Sequence, residues 1–270
     1  MTDQPILAAQ AVAIDYHRRR AGTTLTAIED VNLDVFEGEF VSIVGPSGCG
    51  KTTFLKAVDG QLSPSRGQLL LSGRPVAEVR RERAMVFQES LLFPWFTVER
   101  NVAYGLECQG VPLADAKGRS AKYLELVGLG AFRTHYPHEL SGGMQQRANL
   151  ARALSVDPRL LLMDEPFSSL DAQTRELMQQ ELLRIWEEAK RTVLFVTHQI
   201  NEAIYLSDRV VVMSGRPGRI VKDIRIDLPR PRALDVKRTP PFQRYEDEVW
   251  HLIEAQVRSN FLESGAPPDG

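Results

Sequence analysis

The sequence predicts an α/β fold: a largely parallel sheet core, a small N-terminal antiparallel sheet, and a helical block inserted into the core. Three observations carry this. The short stretches FVSIV, LLLM, TVLFVT and RVVVM are apolar enough for strands covered on both faces, as in parallel sheets. VAIDY and VNLDVF alternate apolar and polar residues, as half-buried strands do. From about residue 89 to 157 the periodicity turns helical, so strands lie on both sides of a helical insert.

Taken in order, Val12–Tyr16 and Val31–Phe36 frame a polar turn at His17 to Thr24 and make the antiparallel piece. Phe40–Val44 is a strand ended by Gly45, and a helix follows from about Lys51 to Val58, stopped by Asp59-Gly60. Gly67–Gly73 and Ala84–Gln88 are the next strands. The helical block includes Ala114–Val127 and a helix from Ser141 to about Leu154. Leu160–Met163, Thr192–Thr197 and Arg209–Met213 complete the core. Between the first two of these, Leu177, Leu182, Ile185, Trp186 and Ala189 fall on one side of a helix. From Leu228 the character changes. PRPR and TPP read as linker, and Tyr245, Val249, Leu252 and Ile253 mark a last amphipathic helix. The expected division is 1–228 for the main domain, with the helical sub-domain at about 89–157, and 229–270 for the tail.

Composition excludes several classes. The 270 residues suffice for one large domain or a domain with a sub-domain, and 43% hydrophobic with 25% charged residues is an ordinary globular mix. A net charge of −2 lacks the basic excess of a nucleic-acid binder. The N-terminus has no positive segment followed by an apolar core, and no apolar run approaches the roughly 18 residues of a membrane span. Cys49 and Cys108 form no disulfide framework. The expectation is a cytoplasmic protein whose membrane role, if any, comes through a partner.

GPSGCGKTT, Gly45 to Thr53, satisfies the G-x-x-x-x-G-K-[ST] phosphate loop and sits between a predicted strand and a predicted helix, the context that motif requires. Gly45, Pro46, Ser47, Gly48, Cys49, Gly50, Lys51, Thr52 and Thr53 are therefore the expected nucleotide contacts. The glycines let successive N–H groups face an anion, and the helix start adds positive potential. Lys51 would reach the β- and γ-phosphates and the Thr52 hydroxyl would ligate Mg²⁺. No N-K-x-D base-reading motif accompanies the loop, which argues against a GTPase. Asp164-Glu165 and His198 also follow apolar strands, and open α/β sheets place ligands at carboxyl strand ends. Asp164 suits the Mg²⁺ shell, Glu165 a base or water-orienting role, and His198 a phosphate contact. Gln88 ends its strand likewise, and its amide can touch Mg²⁺ and water.

A second glycine-rich helix start, LSGGMQQR from Leu140 to Arg147, raises the question of why one chain carries two. Ser141 is a good N-cap, and Gly142 and Gly143 leave N–H groups and dipole potential for an anion. The segment has no lysine or Mg²⁺ ligand of its own. One solution is that it faces the γ-phosphate of a nucleotide held by another copy, in two-fold symmetry; the other is a capped helix with glycines for close packing.

LSGGMQQR, together with the phosphate loop, Gln88, LLLMDE, Ser169-Leu170-Asp171 and His198 in this order, resembles the ATP-binding subunit of an ABC transporter over roughly residues 6 to 225. LLFPWFTVERNVAYGL, YPHELSGGMQQR and VLFVTHQINEAIYLSDRVVVMSGRPGRI are most similar to the ATPases of nitrate, sulfonate and taurine importers. The resemblance implies a P-loop, RecA-like ABC ATPase core that binds ATP and Mg²⁺. It implies that Tyr16 stacks on adenine, although its register with Val12 and Ile14 also permits a core tyrosine. It further implies that Thr52, Gln88 and Asp164 serve the metal, and that Glu165, His198, Lys51 and Gln88 serve catalysis. Ser141, Gly142, Gly143, Gln145 and Asp171 would meet the partner's ATP. Gln199 stands where an acidic residue commonly follows the histidine, and Ser169 replaces a frequent alanine.

The expected partners are a second copy, integral membrane permease subunits and, indirectly, a substrate-binding protein, with the chain peripheral at the inner face of the cell membrane. Leu91, Leu92, Phe93, Pro94, Trp95 and Phe96 form a dense apolar stretch that the resemblance makes the permease groove. A DNA-repair or translation ATPase of the superfamily is the alternative. It would need a long coiled coil, a basic arm or two cassettes, and none occurs in this sequence.

Overall fold

The computed structural model describes residues 4–18, 22–89 and 91–264. In chain order the strands and helices are β1 (Leu7–Arg18), β2 (Thr23–Val35), β3 (Phe40–Val44), α1 (Lys51–Val58), β4 (Arg66–Leu71), β5 (Arg74–Pro75), β6 (Arg83–Val86), α2 (Val98–Cys108), α3 (Leu113–Leu126), α4 (Gly142–Ser155), β7 (Leu160–Asp164), α5 (Ala172–Ala189), β8 (Thr192–Val196), α6 (Ile200–Leu206), β9 (Arg209–Met213), β10 (Ile220–Arg225) and α7 (Pro240–Ser264). The chain divides into two compact units, residues 1–80 with 192–270, and residues 81–191. The polar turn expected at His17 to Thr24 is shorter than that: His17 pairs with Thr24 and Arg18 with Thr23 in the β1–β2 ladder, and residues 19–21 lie outside the described residues.

The first unit holds an antiparallel sheet in the order β2-β1-β4-β5. In β2 the predicted alternation is present: Val31, Leu33 and Val35 are buried, Asn32 and Asp34 exposed. In β1 it is not, because Val12, Ala13 and Ile14 are all buried. β4, read only as a strand, joins this sheet through β1. The second sheet element of the unit runs β10-β9-β3-β8, with β3 parallel to β8 and β9 and β10 antiparallel to β9. Every residue of β3 and β8 is buried, as their apolar composition predicts. β10 was not read from the sequence; IVKDIR carries three charged residues and exposes four of its six positions, including all three charges.

The tail is more integral than a linker reading implies. Arg232, in PRPR, is buried and donates from Nη1 to the carbonyls of Ile204, Tyr205 and Ser207 at 3.0, 3.0 and 2.8 Å. Its remaining nitrogens reach the carbonyls of Ile226 and Leu228 at 3.2 to 3.4 Å. The Tyr205 hydroxyl returns a bond to the Arg232 carbonyl at 3.0 Å. On α7, Val249 and Phe242 are fully buried, Tyr245, Leu252 and Ile253 half-buried, and Lys222 pairs with Glu248.

The second unit contains the parallel pair β6–β7 and the mutually packed helices α2, α3 and α4. On α5, Leu182, Ile185 and Trp186 are buried as the periodicity requires, but Leu177 is 63% exposed. Its membership of the apolar stripe is a correction: the buried stripe begins one residue later, at Met178, and continues through Leu182, Ile185 and Trp186. The side chain of Ala189, also assigned to the stripe, lies outside what the structure describes. Among the described residues no helix is long and apolar enough to cross a membrane.

Candidate functional site

In the first unit, β3 delivers the chain into the phosphate loop and α1 carries it away, as the motif predicts. Gly48 (φ 74°) and Gly50 (φ 102°) adopt the left-handed region that favours glycine. At Gly50 a side chain is also excluded by space, since a Cβ would lie 2.9 Å from the Ala27 carbonyl oxygen. Lys51 opens α1, is buried, and donates from Nζ to the Gly45 and Pro46 carbonyls at 2.8 and 3.0 Å. Its ammonium is thus held inside the loop. Cys49 is buried, with its sulfur 3.7 Å from Lys51 Nζ. Burial pushes its thiol pKa up, against the opposing pull of Lys51, so it is a protonated, weak nucleophile at neutral pH. Thr52 and Thr53 are half-buried in the first turn of α1. Tyr16 is 40% exposed with its hydroxyl 3.4 Å from Thr53 Oγ1. That exposure removes the core-tyrosine alternative and leaves a ring open at the loop's edge.

Because β3 and β8 are parallel, with Ile43 opposite Val196, their carboxyl ends emerge together. This sets His198, which is exposed, on the same sheet edge as the phosphate loop. Two residues that sequence reasoning missed bracket the histidine. Thr197 Oγ1 donates to the buried carboxylate of Glu202 and accepts the Gln199 N–H at 3.0 Å. The i, i+5 spacing of Thr197 and Glu202 across a strand end and a helix start matches no periodic template, so no sequence pattern announces the pair.

In the second unit, parallel pairing of Val86 with Met163 brings the carboxyl ends of β6 and β7 together; Asp164 ends β7, and Gln88 and Glu165 follow the two strands. Gln88 is exposed and the two carboxylates are half-buried. Glu165 has φ 45°, a conformation costing an ordinary residue about 1–3 kcal/mol. The Ser168 hydroxyl and N–H hold it there, donating to the Glu165 carbonyl at 3.0 and 3.2 Å. Asp171 caps α5, accepting the Thr174 N–H at 3.0 Å. That backbone hydrogen bond is the main cause of its lowered pKa.

The signature helix α4 starts at Gly142 with Ser141 as N-cap, its hydroxyl accepting the Met144 N–H at 3.3 Å. No acidic residue lies in the first turn to neutralise the dipole. Ser141 and Gly142 are exposed, and a Cβ at Gly142 would meet nothing nearer than Leu170 Cδ2 at 3.9 Å. Close packing therefore does not explain Gly142. At Gly143 a Cβ would meet Thr174 Cγ2 at 3.3 Å, so there it contributes. Gln145 turns inward, its amide donating to the Pro137 and Leu140 carbonyls at 2.9 and 3.3 Å and bracing the approach to Ser141.

Of the metal-ligating candidates, Thr52 in the first unit supplies a hydroxyl, and Gln88 and Asp164 in the second an amide and a carboxylate; each is a hard oxygen donor of the kind Mg²⁺ prefers. Among the described residues no group of three His, Cys, Asp or Glu forms a self-sufficient metal site.

The comparisons decide what these elements belong to. The family model described as ABC transporter matches residues 28–168. An ABC transporter ATP-binding protein of Methanocaldococcus jannaschii is 47% identical over 236 residues, covering 87% of each chain. The chain belongs to the ABC transporter family. As an ATP-binding protein of that family it is an ATPase with the P-loop α/β cassette fold. The taurine import ATP-binding protein of Roseobacter denitrificans is 44% identical, covering 86% of this chain and 88% of its own. An aliphatic sulfonates import ATP-binding protein of Bacillus cereus is 43% identical, with 88% and 92% covered. Among solved structures, the dimeric post-hydrolysis state of an ATP-binding cassette bound to ADP and phosphate superposes with a TM-score of 0.71 at 31% identity, covering 82% of this chain and 99% of that one. A cassette of Clostridium perfringens, described as part of an ABC transporter complex, gives a TM-score of 0.75 at 25% identity, with 93% and 100% covered.

Proposed function

We propose that the protein is the ATP-hydrolysing subunit of an importer, and that two copies close around two ATP molecules to drive a small solute, of nitrate, sulfonate or taurine type, through a separate permease. The single observation supporting the clamp is the exposed, acid-free start of α4, whose Ser141-Gly142 tip offers an anion site without a lysine or metal ligand. Its ligand is the γ-phosphate of the partner copy's ATP, met by Ser141, Gly142 and Gly143, with Gln145 bracing the approach to Ser141 and Asp171 a further contact across the same interface. The cassette dimer that holds ADP and phosphate and the importer names of the relatives support the same reading.

In this account residues 1–228 form the ATP-binding domain and 229–270 a tail. Gly45 to Thr53 hold the phosphates and Tyr16 stacks on adenine. Thr52, Gln88 and Asp164 would hold Mg²⁺, which would supply neutralisation of the phosphate charge. Lys51 leaves its carbonyl partners for the β- and γ-phosphates, His198 bonds a γ-phosphate oxygen, and Glu165 orients the attacking water. Binding shifts an open–closed equilibrium toward closure, and hydrolysis resets it.

The permease is met at the aromatic knuckle between β6 and α2. There the buried Asn101 carboxamide accepts the Phe93 N–H at 2.7 Å and donates to the Phe93, Phe96 and Thr97 carbonyls, each at 3.1 Å. Phe93, Phe96 and Tyr104 pack edge-on or tilted, while Trp95 and Leu91 are 68% and 51% exposed. A rigid apolar knob of this kind suits a protein partner at the cell membrane's inner face.

The test is turnover. Wild type hydrolyses MgATP, whereas Glu165→Gln binds it with similar affinity and turns over about 100-fold more slowly or worse. Near wild-type turnover would remove Glu165 from the reaction. Absence of ATP binding by wild type would remove the whole reading.

A further inference from the structure

The β9–β10 connection reads SGRPGR, Ser214 to Arg219, and has no part in the roles above. It presses on the outside of the phosphate loop at two places, and the end of β9 does so at a third. A Cβ at Gly218 would lie 2.0 Å from the Cys49 carbonyl oxygen. A Cβ at Gly45 would lie 2.8 Å from the Met213 carbonyl oxygen. Between them, the Arg216 guanidinium donates from Nη2 and Nε to the Gly48 carbonyl at 3.1 and 3.3 Å.

The connection is itself anchored. The Gly218 N–H donates to the Ala27 carbonyl at 2.9 Å, the Glu29 N–H to the Gly218 carbonyl at 3.0 Å, and Arg219 pairs with Glu29 at 2.7 Å. Ser214 Oγ donates to the Pro217 carbonyl at 3.0 Å and accepts the Arg219 N–H at 2.9 Å, closing the turn. Arg216 therefore projects from a fixed base.

A peptide that turns its N–H inward toward an anion leaves its own carbonyl facing out and in need of a donor. Gly48, at φ 74° and without a Cβ, is free to rotate the peptide that follows it. That peptide joins the Gly48 carbonyl, bonded by Arg216, to the Cys49 N–H, which makes a long 3.3 Å contact with the Pro46 carbonyl. A cation on the carbonyl polarises the peptide and improves its N–H as a donor.

We propose that Arg216 is a positioning residue for the phosphate loop, holding the Gly48–Cys49 peptide with its carbonyl outward and its N–H toward the nucleotide's phosphates. The inference rests on the reading of this loop as the ATP site. Arg216 acts on binding, not on the reacting phosphate, so its signature is a split between affinity and turnover.

The experiment compares wild type, Arg216→Ala, Arg216→Gln, Arg216→Lys and, as control, Lys51→Ala in the full chain, measuring MgATP and MgADP affinity and turnover at saturating ATP. Arg216→Ala weakens ATP and ADP equally, about five- to tenfold, the effect of a charge-assisted bond reduced by exposure. Turnover at saturation stays within about twofold, and Arg216→Lys recovers part of the affinity through a single-point ammonium. Arg216 is exposed, so nucleotide-free melting is unchanged; if Arg216→Ala melts early, Arg216→Gln, which keeps the stem, is judged by the same affinities. Unchanged affinities, a loss confined to ATP, or a fall in turnover at unchanged affinity each overturn the proposal. Tight wild-type binding with equal binding by Arg216→Ala overturns this inference alone, whereas a wild type that binds no ATP overturns the site reading beneath it.

Discussion

Arg232→Ala should strip the fastening of the tail from the helix that follows His198. Three of the carbonyls Arg232 serves, on Ile204, Tyr205 and Ser207, end α6 or lie just beyond it, and two more belong to the segment after β10. A hydrogen bond to a charged group contributes about 1.5–3 kcal/mol, and a buried carbonyl left without a donor costs about 1–3 kcal/mol. The five carbonyls share one guanidinium and some will find water, so the sum is not additive, and a net loss of about 3–5 kcal/mol follows. At about 2–4 °C per kcal/mol for a chain of this size, the melting temperature falls by about 10 °C. Arg232→Lys recovers little, because one ammonium cannot span carbonyls on two segments. Differential scanning fluorimetry reads the shift, and amide exchange locates it: protection drops across α6 and the start of α7 before it drops in α2–α4. A melting change under about 2 °C, or exchange unchanged at α6, would refute the argument that this tail is part of the first unit's core.

Other outcomes follow from the same geometry. Cys108 is exposed and Cys49 buried with a raised pKa, so maleimide labels Cys108 first at pH 7, and Cys49 reacts appreciably only as pH rises beyond the ordinary thiol range. Alkylated Cys49 fills the loop, and mass spectrometry paired with nucleotide binding should show the two lost together. Glu202→Gln keeps the size of the buried partner of Thr197 but weakens its acceptor; turnover drops about tenfold with ATP affinity retained, if Thr197 and Glu202 place His198. Trp95→Asp and Leu91→Asp leave melting and basal ATPase within about twofold of wild type but abolish co-purification with the permease; intact assembly would return the knuckle to a structural role.

What was legible in the sequence was what is local. The phosphate loop, the Ser141 cap and the strand-end placement of Asp164, Glu165 and His198 each follow from a few adjacent residues, because turn chemistry and strand period are short-range. The residues that hold these groups in place were not legible. Arg232 reads as one more arginine in a proline-rich stretch, and only folding brings it under α6. Asn101 looks like a polar interruption of a helix, yet it organises the FPWF turn. Thr197 and Glu202 pair across a strand–helix junction where no period applies. Leu177 fits the apolar stripe by period alone, and only the fold shows which positions of α5 are covered. β10 escaped because an edge strand exposing charged residues carries little apolar signal.

The central claim is that a second copy's Ser141 tip completes each ATP site, and the molar mass of a hydrolysis-blocked protein tests it most directly. With MgATP, Glu165→Gln should elute at twice the mass of the nucleotide-free chain with one ATP per copy, whereas adding Ser141→Arg should keep the bound ATP but leave single chains. Nucleotide-loaded Glu165→Gln that stays at the mass of one chain, or a dimer indifferent to Ser141→Arg, would contradict it.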